Sequence, residues 1–334
     1  MMKCVISKSF RATIALFLAH ALEAEIAVLQ NGQQLRVEID GELFTEYRTE
    51  RHVPCLYPLL SPDGTHLTRR YPFAENIVGE ASDHPHHIGF WFAHGDVNGY
   101  DFWHGRNGER ITTSRVQHGS VDKGPEGSRV RFSADLDWIA GRKKLLTERR
   151  VYTIIEKGSD RIIDVTCHLK ATETELVFGD TKEGSFALRL TPTLRLKGEV
   201  ARGAITNSEG AQGRDAWGQR ARWVAYHGPD SAGTATVVAI FDHPENLRHP
   251  TWWHARDYGL LTANPFGPKA FGDDTFTNKG DFILKESETL TLRYRLVLHQ
   301  GNLHSAELNE RWNEFTRNRP GQSDQVQVEN NSAP

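Results

Sequence analysis

The feature that most constrains the fold is a two-residue alternation of apolar and polar side chains. From Val130 the even positions read Val130, Phe132, Ala134, Leu136 and Trp138, with Arg131, Ser133, Asp135 and Asp137 between them. The odd positions carry the pattern from Ile163 (Val165, Cys167, Leu169, Ala171), and the even positions resume it from Leu290 (Leu292, Tyr294, Leu296, Leu298). Phe186, Leu188 and Leu190 repeat it. Successive side chains of a strand point to opposite faces, so each stretch is a strand with one buried and one polar face. Antiparallel sheets, which can leave one face to solvent, produce this pattern.

Turn residues punctuate the strands at Asn31-Gly32, Asp40-Gly41, Asp63-Gly64, Asn98-Gly99 and Lys157-Gly158-Ser159-Asp160. Asn-Gly and Asp-Gly reach the positive φ that tight hairpins demand. A helical period appears only late, at Leu308, Trp312 and Phe315, with Ser305 as a candidate cap. These signals predict an all-β chain: a large antiparallel two-sheet sandwich of supersandwich type over residues 25–316, closed by a short C-terminal helix. No internal repeat and no linker-like composition divides that span. Residues 317–334 are rich in Gln, Asn, Ser and Asp and are expected to be disordered.

The start of the chain has the composition of a secretory signal. Lys3, Lys8 and Arg11 precede a short apolar run from Thr13 to Ala19, and small residues follow at Ala21 and Ala24. Removal of residues 1–24, with cleavage near Ala21 or Ala24, predicts a periplasmic or secreted protein. The run is shorter than the ~20 apolar residues a spanning helix needs, and no later segment reaches that length. With 40 basic and 43 acidic residues well interspersed, neither a nucleic-acid footprint nor a polybasic membrane patch is present. Cys55 and Cys167 would remain after cleavage, and their spacing leaves pairing undecided.

The 16 His and 8 Trp point to chemistry. Asp83-His84-Pro85-His86-His87 opens a segment that runs through Trp91, His94, Asp96, Trp103 and His104. Imidazole is the side chain best suited to proton transfer near neutral pH. If a strand began at His86, then His86 and His87 would face opposite sides, and only a subset of the histidines would share a site. A second segment, Asp242 to Gly259, repeats Asp-His-Pro and carries His243, Arg248, His249, Trp252, Trp253 and His254. It precedes Asn264-Pro265 and is expected to wall the same pocket, with Trp252 or Trp253 as a stacking platform. Glu183 is a candidate partner carboxylate, and Arg69, Arg70 and Tyr71 are candidate anchors for hydroxyls or carboxylates. Interior hydrogen-bonding groups beneath a Trp-rich core, and a well-packed surface loop, are the structural alternatives.

Tyr57-Pro58-Leu59, the Asp83–His87 run, the Gly95-Asp96-Val97-Asn98-Gly99 turn with Asp101-Phe102-Trp103, and His249-Pro250-Thr251-Trp252-Trp253-His254 resemble an exported bacterial family. That family is filed as "methane oxygenase PmoA"-like, and the resemblance covers most of the mature chain. Particulate methane oxygenase subunits span membranes, which this chain has no segment to do. The resemblance implies a large sandwich similar to the galactose mutarotase type, and genomic company with sugar oxidoreductases and glycan-degrading enzymes.

The expected function is therefore an exported carbohydrate-active enzyme: a hydrolase, lyase or epimerase acting on a sugar or keto-sugar glycoside. In it His84, His86 or His87 transfers a proton, Glu183 or Asp83 is the complementary carboxylate, and Arg248 or a divalent metal stabilises oxyanion charge. The substrate-binding set comprises Arg69, Tyr71, Asp83, Trp91, Asp96, His243, Arg248, Trp253, His254 and Asn264. No cofactor is implied with certainty, a divalent metal is one option, and the partner is a small carbohydrate. The alternatives are a non-catalytic carbohydrate-binding protein and a copper oxygenase with a mature N-terminal His20.

Overall fold

The computed structural model describes residues 25–317 apart from 125–126, 159, 173 and 277–279. The expected signal segment, His20 and the tail beyond residue 317 lie outside the described residues. Alternation becomes two large antiparallel sheets. In spatial order the first sheet contains Ile26–Asn31, Gln34–Ile39, Glu42–Arg48, Cys55–Leu56, Phe90–His94, Gly184–Arg189, Leu260–Asn264 and Trp252–Trp253. The second contains Ala204–Asn207, Trp223–Pro229, Ala235–Asp242, Thr289–Gln300, Asp160–Ala171, Lys143–Lys157, Gly127–Ala140 and Arg110–Gly124. A two-stranded sheet pairs Leu176–Phe178 with Phe282–Leu284. Asp40 and Gly41 take φ of 55° and 78°, and Asn98 and Gly99 take 53° and 81°, as the turn residues predict.

The sheets face each other through aromatic side chains. Phe92 of the first meets Trp138 of the second with ring centroids 5.9 Å apart, and Phe186 stacks on Tyr294 at 4.5 Å. The inward face also holds an ion pair. Arg150 donates to both oxygens of Glu148 at 2.6 and 2.8 Å, and the Trp138 indole donates to Glu148 at 2.9 Å. These polar groups stand in line with Leu146, Tyr152 and Ile154 on one strand face, so alternation alone hides them. Cys55 and Cys167 sit in opposite sheets as buried free thiols.

The helix runs from Leu308 to Arg317 and covers the outer face of the second sheet, where Leu308 and Phe315 join Trp223, Phe241 and Val297 in a separate apolar cluster. It starts three residues beyond Ser305, whose hydroxyl instead bonds His299 at 2.9 Å.

The strand of the first His segment begins at Phe90, not at His86. Residues before it form a turn in which His84 takes φ of 44° and the His87 N–H donates to the His84 carbonyl at 3.0 Å. Gly89 then passes so close to Leu56 that an added Cβ would sit 2.4 Å from its carbonyl oxygen, at a φ of 56°. Only glycine fits this entry to the strand.

Candidate active site

Because Phe90 and Phe92 point into the core, Trp91 points to the opposite face of the first sheet. There it packs on His87 and on Trp103, with ring centroids 5.6 and 5.2 Å away. The turn brings all three histidines together. His87 lies 4.7 Å from His84 in a parallel stack and 4.4 Å edge-on from His86. The expectation that adjacent histidines diverge fails, because it assumed a strand where the chain makes a turn. His104 joins from the next loop, 4.4 Å from His86, and Tyr258 extends the His84 stack at 5.6 Å.

Two buried arginines hold this turn from beneath. The Arg69 guanidinium donates to the carbonyls of Ala81, Asp83, His84 and His87 and to the Asp83 carboxylate at 2.7 Å. Arg189, on the strand beside Trp91, donates to His87 Nδ1 at 3.0 Å and to Asp83 at 3.1 Å. An acceptor Nδ1 requires the proton of neutral His87 to sit on Nε2. Burial, followed by Arg189, pushes the His87 pKa well below its ordinary value. His87 is therefore a neutral, buried part of the scaffold beneath the reacting face. Burial opposes the Asp83 charge, but Arg189, His84 and Arg69 outweigh it and hold the carboxyl below its usual range.

Above this scaffold lies a cavity of about 580 Å³, a volume suited to a small ligand. His52, His84, His86 and His104 line it, and Glu50, Arg51 and Arg106 stand around it. His104 Nδ1 donates to Asp101 at 2.7 Å, and His84 Nδ1 lies 3.0 Å from Asp83. The Asp101 carboxylate fixes a His104 tautomer that leaves Nε2 as the basic nitrogen, the logic of an imidazole oriented for proton transfer, and Asp83 stands beside His84 as a charge partner. His86 stands between these two dyads. Burial, reinforced by His104, His84 and His52, pushes its pKa down to about 3, so it is neutral at physiological pH.

Among the described residues, five buried polar atoms in and beneath this cluster lack a hydrogen-bond partner: His86 Nε2, Trp91 Nε1, Trp103 Nε1 and the Nε of Arg69 and Arg189. Each such group costs about 1–3 kcal/mol, and native proteins carry few of them except where something binds. Others lie elsewhere in the fold, at His66, Trp217, His243 and Tyr294, and this group sits beside the cavity.

The other residues expected from sequence serve elsewhere. Tyr71 packs its ring under Arg69 at 5.2 Å. Asp96 caps its hairpin by accepting from the Gly99 N–H. Glu183 pairs with Lys182 at 2.7 Å; its charge acts on His254 and Tyr258, and it makes no contact with the histidine turn. Arg248, expected to stabilise an oxyanion, donates instead to the carbonyls of Pro265, Gly280 and Asp281.

His243 packs edge-on against Phe315 of the C-terminal helix. Trp253 is fully buried and donates to the Ala221 carbonyl, so it offers no stacking platform, and Trp252 is buried too. His254 bonds the Lys182 carbonyl, and Asn264 bonds Thr181 and Phe266. The second His segment thus builds structure, and among the described contacts only its tail, Tyr258, reaches the first. Among the site residues that sequence reasoning passed over are His52, Asp101, His104 and Arg189. The Asp101–His104 spacing of three residues in a turn was the local signal for that pair.

Among the described residues no three His, Cys, Asp or Glu side chains are placed to share a metal ion, so the divalent metal entertained from sequence finds no ligand set. No helix among them is long and apolar enough to cross a membrane.

Fold and site together define a two-sheet β-sandwich with a histidine-rich cavity on the outer face of one sheet. The chain belongs to a family of unknown function (DUF6807), whose profile matches residues 34–313. No curated protein matches it. Among solved structures it aligns with the galactosidase domain of the alpha-galactosidase-sucrose kinase AgaSK at 10% identity and a TM-score of 0.39, covering 83% of this chain and 42% of that one. A GH36 alpha-galactosidase, an AgaA variant from Geobacillus stearothermophilus in complex with 1-deoxygalactonojirimycin, aligns at 11% identity and a TM-score of 0.38, covering 83% and 41%. The chain therefore spans about two fifths of each of those proteins.

Proposed function

We propose that this chain is an exported carbohydrate-active enzyme whose reacting centre is the cavity between the Asp83–His84 and Asp101–His104 dyads. The observation that carries the reading is the pairing itself: His104 oriented by Asp101 and His84 standing beside Asp83 line one small cavity, with His86 and its unpartnered Nε2 between them. Such a pair can take a proton at one side of a sugar ring and return one at the other.

On a sugar with a ring ketone, the neutral His104 takes the proton from the carbon beside the carbonyl. The C–H electrons form the enediolate, which collapses to expel the substituent on the neighbouring carbon. His84, protonated on Nε2, gives that proton to the departing oxygen, and solvent exchange returns both imidazoles to their starting states. His86 supports the ring by hydrogen bonding, since a group with a pKa near 3 is a weak base. A carbohydrate-binding protein without turnover is the second reading. It is favoured by the same unpaired His86, Trp91 and Trp103 atoms, which suit recognition as well as reaction.

The test is turnover of a panel of glycosides and their keto derivatives by the wild type and by His104→Ala and Asp101→Asn. The His104 change is expected to cost ~10²–10⁴-fold in kcat, with circular dichroism unchanged. A wild type that binds sugars and turns none over supports the binding reading instead.

A further inference from the structure

The charges around the cavity are unequal. Asp83 is neutralised by two buried guanidiniums, those of Arg69 and Arg189, and Asp101 accepts the Nδ1–H of His104. Glu50 is paired with Arg48. Glu109, buried behind the Gly105 turn, accepts from the Asn107 N–H and side-chain amide. Arg51 spends one N–H on the Pro72 carbonyl and lies 5.5 Å over Phe73, which leaves most of its fork unused. Arg106 makes no ion pair with any described carboxylate, and it is close enough to His86 to act on that ring. Behind them waits the buried Nε2 of His86, which in one tautomer is an unused N–H donor.

A neutral sugar would leave the forks of Arg51 and Arg106 without a carboxylate partner, whereas an anionic one would supply it. Guanidinium forks match a planar carboxylate through paired N–H donors. Resting on the reading of this cavity as a sugar site, we infer that its ligand is an acidic sugar, a hexuronate or its glycoside, with the carboxylate received by Arg106 and Arg51. Such a ligand also suits the chemistry. A carboxylate neutralised by guanidinium acidifies the adjoining ring C–H, so proton abstraction by His104 and expulsion of the neighbouring oxygen substituent proceed without a ring ketone. The C–H electron pair becomes the new ring double bond, and the oxygen leaves with the proton from His84.

The experiment is calorimetric titration of the whole protein with D-glucuronate, D-glucose and inorganic phosphate, repeated with Arg106→Gln and Arg106→Lys. Arg106 is exposed and outside the proposed proton-transfer pair, so both variants are expected to fold, which circular dichroism checks. Glucuronate is expected to bind at least about tenfold more tightly than glucose or phosphate, the difference one charge-assisted hydrogen bond supplies. Arg106→Gln removes that preference, Arg106→Lys restores part of it, and raising salt from ~0.05 to ~0.5 M weakens glucuronate binding but not glucose binding.

Equal affinity for glucuronate and glucose, an unaltered preference in Arg106→Gln, phosphate binding as tight as glucuronate, or no glucuronate binding would each overturn the inference. Turnover of neutral glycosides with no preference for charge would do so while leaving the enzyme reading intact. Glucuronate bound tightly but never turned over would leave this inference standing and remove the enzyme reading.

Discussion

Arg189 donates to His87 Nδ1 at 3.0 Å, a bond that ties the histidine turn to the first sheet. The same guanidinium reaches Asp83 at 3.1 Å, so a strand residue sets both the tautomer of His87 and the position of the carboxylate beside His84.

A lysine at 189 cannot make both bonds with a planar fork. Arg189→Lys is expected to destabilise the fold by about 3 kcal/mol, because Asp83 and His87 lose a buried partner. Urea denaturation measures this loss. A variant as stable as wild type would show that the turn is held by Arg69 alone.

Acid should weaken the protein through its buried imidazoles. His94 is fully buried, bonded through Nε2 to the Gly179 carbonyl, and burial pushes its pKa down to about 4. Burial likewise pushes His254 down to about 4. For each, the unfolded chain takes up a proton near pH 6.5 while the folded chain does not until about pH 4. Their stabilising effect is whole above pH 6.5 and is lost as pH falls toward 4, by about 3 kcal/mol for His94. His94→Gln should flatten that acid slope in urea titrations at pH 7, 6 and 5. An unchanged slope would place the acid sensitivity elsewhere.

The inward Glu148–Arg150 pair should show the asymmetry of buried charges. Glu148→Ala strands a guanidinium between the sheets and is expected to cost about 3–5 kcal/mol. Replacing both residues by Met should cost less than the single change. A double variant that is less stable than Glu148→Ala would mean that the pair does more than neutralise itself.

The sheets were legible because half-buried strands write their period into the chain, as at Val130–Trp138 and Leu290–Leu298. Their spatial order was not legible, since pairing of Phe90–His94 with Gly184–Arg189 joins residues about ninety apart. The histidine turn was visible as composition but misread as geometry. A residue before proline is ordinarily extended, yet His84 adopts positive φ, with its carbonyl and those around it gathered by Arg69. Arg69 was named from sequence as a ligand anchor, and its hub of backbone bonds only tertiary contact reveals. The second His segment misled for a related reason. Asp242 accepts from His249, Asn246 and Thr251, so the repeated Asp-His-Pro chemistry ties a loop together instead of forming a second wall.

The proposed reacting centre is the cavity of the first His segment, and not the second segment. It is tested by kcat/KM for the wild type, His104→Ala, His86→Ala and His243→Ala on one substrate that the wild type turns over, each variant first shown to be folded. The expected result is a loss of ~10²–10⁴-fold for His104→Ala, about tenfold for His86→Ala through one lost ligand hydrogen bond, and none for His243→Ala. Full activity in folded His104→Ala and His86→Ala, or loss in His243→Ala alone, would contradict it.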